Sequence, residues 1–305
     1  MVNRWKKGIL TGIIFLIFIS QLALASIDSH LHDEKNIYNM QNGKTLYVGG
    51  NGPNNYTRIQ DAIRAAEDGD TIFVYDDSSP YEEDIYIGKN IRLIGENRDT
   101  TIIKLDRGKL VWVENVRWFE IKGFTIKDGA TVPDGALTLF SCRNVNIDSC
   151  NFLNNFYSCI LIDCAANIRI SNCSFSWSLG CIDIYCSFYI KISRCNFSYT
   201  VAGVITFYSI ANIVSECNLS NNACGIWLGN SILSKIHHCT FINNEQHAYF
   251  VNSFLNFWNG NYWNRSRILP KPIIGEISFR GKTIPWINFD WHPLMKPYEW
   301  WKNSH

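Results

Sequence analysis

The sequence predicts an all-β fold: a right-handed parallel β-helix of three-strand rungs with a repeat of about 22 residues. Three observations carry this. First, the segments NVNIDSCNF (144–152), NIRISNCSF (167–175), YIKISRCNF (189–197), ANIVSECNL (211–219) and LSKIHHCTF (233–241) align. They place Cys150, Cys173, Cys195, Cys217 and Cys239 in one column, at steps of 23, 22, 22 and 22 residues, and Phe152, Phe175, Phe197, Leu219 and Phe241 in another. Second, a further motif follows each: CILIDC (159–164), CIDIYC (181–186), then Val204, Ile226 and Ala248 at the same step. Third, apolar residues alternate within each motif, as in Ile160 and Ile162 or Ile182 and Ile184, which is strand periodicity. In-register short strands imply a coiling chain, each rung about 4.8 Å above the last. The LxxLxL frame of a leucine-rich repeat is missing. The Asn-Gly turns that serial hairpins would need are absent from the repeat.

In chain order, residues 1–25 read as an export signal: Arg4, Lys6 and Lys7 precede an apolar run, and Ala23-Leu24-Ala25 is a small-x-small cleavage site. The alternative is an uncleaved anchor, since the run is near the lower length for a membrane span. Removing three positive charges takes the net charge from +1 to −2. A near-neutral exterior gives no footprint for nucleic acid. Residues 26–43 are a polar, unpatterned leader. The β-helix is expected over 44–264. A capping helix at about 57–68 has Thr57 as N-cap and Ile59, Ala62, Ile63 and Ala66 on one face. It would cover the open end of the solenoid. TIFVYD, DIYIG, NIRLIG and TIIKL build the first rungs, with Gly95 and Gly123 at matching turns. Residues 265–305 are expected to form an irregular Trp- and Pro-rich cap or strap: the stretch from Asn256 to Trp301 holds five of eight prolines and six of eleven tryptophans.

Eleven cysteines in an exported chain normally suggest disulfides. Here nine lie on ladders, with parallel Cβ vectors that strain a cross-rung bond, so buried free thiols are expected. No CxxC spacing suggests a zinc knuckle.

YTRIQDAIRAAEDGDTIFV followed by YEEDIYIGKNIRLIGEN resembles the start of the pectin-lyase-like β-helix superfamily. The repeats resemble its NosD-type branch of carbohydrate-binding and sugar-hydrolase (CASH) repeats, of the archaeal secreted type, with the frame I-x-I-x-x-N-x-I-x-x-N-N…G-I-x-L. Asn154-Asn155, Asn221-Asn222 and Asn243-Asn244 sit at its Asn pair, and Gly203 and Gly225 at its Gly. The frame's first Asn is Cys in five rungs here, which replaces side-chain amide bonds along a turn with soft apolar packing. The resemblance spans about residues 45–265. It implies the fold and leaves the activity open.

Chemistry on such a fold belongs to outward columns. On the first two strands these are polar. On the third they are apolar and aromatic, including Trp227 and Tyr249 beside Leu161, Asp183 and Ile205, and Tyr185 and Phe207 beside Asp163 and Val251. Such a face is covered or binds something. Either the tail lies on it, or Tyr185, Phe207, Trp227 and Tyr249 form a sugar-stacking platform with Asp163 and Asp183 bonding hydroxyls. The motifs of a polygalacturonase and the acidic calcium cluster of a pectate lyase are missing, which disfavours a polysaccharide lyase or hydrolase. His237, His238 and His247 are the weak candidates for a metal, the copper-delivery alternative that the NosD-type resemblance implies; His237 should point out and Cys239 in. No cofactor is implied. Asn55, Asn172, Asn196, Asn218 and Asn264 lie in glycosylation sequons. The expectation is an exported, cell-surface carbohydrate-recognition or structural module, with a glycan partner and membrane contact only through an uncleaved signal segment.

Overall fold

A computed structural model describes residues 43–105, 108–129, 134–279 and 281–299. The signal segment and nearly all of the leader lie outside the described residues. The body is a parallel β-helix; a right-handed sense is the one that parallel strand–connection–strand units adopt. Each complete rung contributes one strand to each of three stacked sheets. In one rung these are Arg169–Ser171, Ser174–Ser176 and Gly180–Tyr185. The next rung pairs with it in parallel at Ile170↔Ile192, Phe175↔Phe197 and Ile182↔Val204.

The inward columns are those the repeat predicts. Cys150, Cys173, Cys195, Cys217 and Cys239 are buried, and all eleven cysteines are free. The ring column is stacked: Phe152–Phe175 at 5.0 Å, Phe175–Phe197 at 4.9 Å and Phe241–Trp263 at 4.4 Å, each within 9° of coplanar. Gly203 and Gly225 make room for it, because a Cβ there would press on Leu219 or the Phe241 ring as well as on the backbone of the next rung.

The corners are built on left-handed residues, such as Ser149, Asn172, Arg194, Glu216 and His238 after the first strand. This conformation costs a non-glycine residue roughly 1–2 kcal/mol. Buried ladders just inside the corners repay it with hydrogen bonds. Asn222 N–H donates to Asn244 Oδ1 at 3.0 Å, and Asn222 Nδ2 to the Phe197 carbonyl at 3.1 Å. At the third corner the hydroxyls of Ser187, Ser209, Ser231 and Ser253 each accept a backbone N–H from the preceding rung.

The N-terminal helix is shorter than expected, Ile59–Ala65, and buries Ile59, Gln60, Ala62 and Ile63. Thr57 is not its cap. Arg58 occupies that position without a side-chain cap. Glu83, reaching from a neighbouring rung, accepts the Ile59 and Gln60 N–H groups at 2.8 and 3.0 Å instead. A carboxylate at a helix N-terminus does the work of a local cap.

Of the irregular cap or strap that the composition suggested, the tail is a cap, and a regular one. Lys271–Phe279 and Lys282–Asp290 form an antiparallel hairpin. It continues the solenoid: Gly275 and Glu276 pair with Phe250 and Val251, and Asp290 pairs with Trp258. The buried Asp290 carboxylate ties the end together, accepting the Asn261 and Trp263 side-chain N–H groups at 3.0 Å.

Candidate functional site

The hairpin adds to the last rung and leaves the outward face of the third sheet uncovered. The described residues after it, 291–299, run elsewhere, with Tyr298 N–H on Thr240 Oγ1 of the second sheet at 2.9 Å. Along the third sheet runs an open groove of about 550 Å³. Its floor is the outward column Asp183, Ile205, Trp227 and Tyr249, and its wall is Tyr157, Leu179, Val201 and Ala223 from the turn before each strand. Ser158 closes one end and the exposed Gln246 the other. From Ser158 to Gln246 is four rung steps, about 19 Å.

Of the predicted site residues, the structure brings Asp183, Trp227 and Tyr249 into the groove. Tyr185 and Phe207 flank it. Their rings stack on each other at 5.5 Å and 14°, so their faces are occupied and edges point outward. Phe207 also lies over Gly229, where a Cβ would strike its ring. The four-ring platform therefore reduces to two: Trp227, standing at 67° to Phe207, and Tyr249. Burial, and then the bond of its hydroxyl to Glu276 of the hairpin, raise the Tyr249 pKa.

Asp163 is not a groove residue. It pairs across the sheet with Tyr185, one column over from Asp183. The Asp183 carboxyl folds back on its own strand, accepting the Ser158 hydroxyl. A Cβ at Gly180 would sit 2.9 Å from both its oxygens. Burial raises the Asp183 pKa, with the Ser158 bond opposing, and Oδ1 has no partner.

The wall residues were missed in the sequence because they lie outside the alternating motifs, although Tyr157, Leu179, Val201 and Ala223 share the 22-residue step. The same outward column extends toward the N-terminus through Trp112 and Tyr86. These two donate to Glu114 at 2.9 and 2.6 Å and hold its pKa down.

The histidines do not converge. His237 and His238 share one Nδ1–Nδ1 hydrogen bond of 3.0 Å. His247 lies beside Trp263 at the end of the core, where burial lowers its pKa. No cluster of three His, Cys, Asp or Glu occurs among the described residues. Of the sequon residues, Asn55 and Asn172 commit their side-chain N–H to Gly49 O and Asp148, and Asn218 is half-buried. Asn196 and Asn264 are exposed.

Residues 135–266 match the family model described as "Right handed beta helix region". No curated protein matches the sequence. Among solved structures, the chain is similar to a pectin methylesterase mutant in complex with a hexasaccharide (13% identity, 84% of this chain and 94% of that one, TM-score 0.44). It is also similar to an exopolygalacturonase from Thermotoga maritima (11%, 74% and 88%, 0.42). A third is PfbA, a surface adhesin of Streptococcus pneumoniae (11%, 78% and 95%, 0.38). Likeness at this level says nothing of this chain's ligand.

Proposed function

We propose that the protein is an exported, cell-surface carbohydrate-recognition module that binds a glycan along the groove of its third sheet. Its repeat frame supports a place in the NosD-type CASH branch of the pectin-lyase-like β-helices, of the archaeal secreted type. The observation that carries the function is the open groove itself: an apolar trough with one unstacked tryptophan on its floor. A pyranose offers an apolar face to Trp227 and hydroxyls to the exposed Gln246, with Asp183 setting the charge of the floor. Aromatic anchors in a concave apolar site with few polar groups are the usual make-up of a small-ligand pocket.

Two-carboxylate hydrolysis fits the groove poorly: of the pair Asp163 and Asp183, only Asp183 lines it, Asp163 standing in the adjoining column. Copper delivery has no converging donor set among the described residues.

The test is retention of the purified protein on a polysaccharide panel. Trp227→Ala should weaken binding by about 1–3 kcal/mol, by analogy with bases stacked on aromatic side chains. Unchanged retention, with circular dichroism intact, removes the groove from consideration.

A further inference from the structure

We infer that the groove takes uncharged glycan chains and discriminates against polyuronates. This rests on the glycan-binding reading above and narrows it by charge.

Among the described residues no lysine, arginine or histidine lines the groove, and Asp183 is the one carboxyl that does. Lys271 and Arg267 act on the half-buried His247 beside Gln246, and acidic groups neighbour the groove along the sheet. Asp163 sits in the adjoining outward column. Glu276 stands at the far end on the Tyr249 hydroxyl, and Glu245 immediately precedes Gln246. A polyuronate carries a carboxylate on every residue. Laid along about 19 Å of groove, several would enter an apolar trough with no cation to meet them. Desolvating an unpaired carboxylate is costly, and the fixed acids add repulsion.

A neutral chain meets neither cost. Its hydroxyls meet the exposed Gln246 amide, which both donates and accepts. Its C–H faces lie on Trp227 and Ile205. Gly180 contributes by absence: with no Cβ, it lets the Asp183 carboxyl fold down onto the floor toward Ser158, so the trough is not blocked.

The experiment is affinity electrophoresis of the full-length protein in gels containing neutral polymers (β-glucan, xylan, galactomannan) or anionic ones (polygalacturonate, alginate). A neutral polymer should retard the protein at least about tenfold more strongly than either polyuronate at low salt, the gap narrowing as salt rises. Asp183→Asn should narrow the ratio further. A purely structural role for Asp183 would weaken both probes together and leave the ratio unchanged. Polyuronate retention equal to or above neutral retention, and lost in Trp227→Ala, overturns the charge selectivity while leaving the glycan groove standing. Retention of no polymer overturns the glycan reading itself.

Discussion

The cysteine column can be tested by three substitutions at one position. Cys195 is fully buried between Cys173 and Cys217. Five rungs of its column carry a cysteine and no amide, but the last carries an asparagine. Asn261, next in the column after Cys239, accepts the Cys239 N–H through Oδ1 at 2.9 Å and donates through Nδ2 to the Ile236 carbonyl at 3.0 Å. Cys195→Asn should reproduce that geometry on the Cys173 N–H and the Ile170 carbonyl. Two net hydrogen bonds at about 1 kcal/mol each offset the lost thiol packing, so stability should stay within about 1 kcal/mol of the parent. Cys195→Asp has the same shape without the donor. Keeping its carboxyl neutral at pH 7 spans about three pKa units from an unfolded value near 3.9, or about 4 kcal/mol. The sign follows from proton linkage: a folded pKa above the unfolded one means the folded state binds more protons, so stability falls as pH rises above about 4. Cys195→Ala should fall between, as a small cavity. Urea unfolding followed by circular dichroism from pH 4.5 to 7.5 reads all three. An Asn variant as damaged as the Asp variant, or an Asp deficit that does not shrink toward pH 4.5, would refute the ladder argument.

Other expectations follow from particular contacts. Gly225→Ala drives a Cβ into the His247 carbonyl oxygen and against the Phe241 ring; it should cost about 1–3 kcal/mol in thermal or urea unfolding. Glu83→Gln weakens the charge-assisted cap on Ile59 and Gln60 and should cost about 1 kcal/mol, read as earlier hydrogen exchange in the 59–65 helix. Burial raises the Asp183 pKa, so Asp183→Asn should gain stability relative to the parent at neutral pH. That advantage should close as pH falls below the unfolded value of about 4, in the same urea assay. In native protein, Cys164 and Cys186, the two exposed thiols, should react with a bulky maleimide well before the buried ones, as mass spectrometry of the labelled peptides would show.

Much of the fold was legible because a solenoid repeats its environment. One alignment of Cys150 to Cys239 fixes which residues point inward in five rungs, since slipping a strand by one residue would turn its whole apolar set outward. The serine ladder from Ser187 to Ser253 escaped notice for the opposite reason: a buried serine looks like a surface serine until its backbone partners are known. The Thr57 cap failed because the neighbouring rung, through Glu83, supplied what local sequence rules assign to a residue adjacent in sequence. Ring orientation was also beyond the sequence. Tyr185 and Phe207 stand in the right column, but whether a ring shows its face or its edge depends on what lies beside it, here Gly229 and the next ring along the stack.

The fate of the tail decides whether a working face exists at all, and composition could not settle it. A Trp- and Ile-rich segment gains apolar contact either by lying over Trp227 and Tyr249 or by stacking beneath the last rung. The difference is in hydrogen bonds. The outward face of the third sheet offers side chains only, its backbone groups already being paired rung to rung. The last rung offers bare N–H and C=O groups on Phe250, Val251 and Trp258, which would otherwise form an open edge. The hairpin Lys271–Asp290 takes that edge and presents another to solvent, where Pro285 and Lys282 are placed to discourage further pairing. The edge bonds thus draw the tail to the end of the solenoid, and the groove along its side is left free for a ligand.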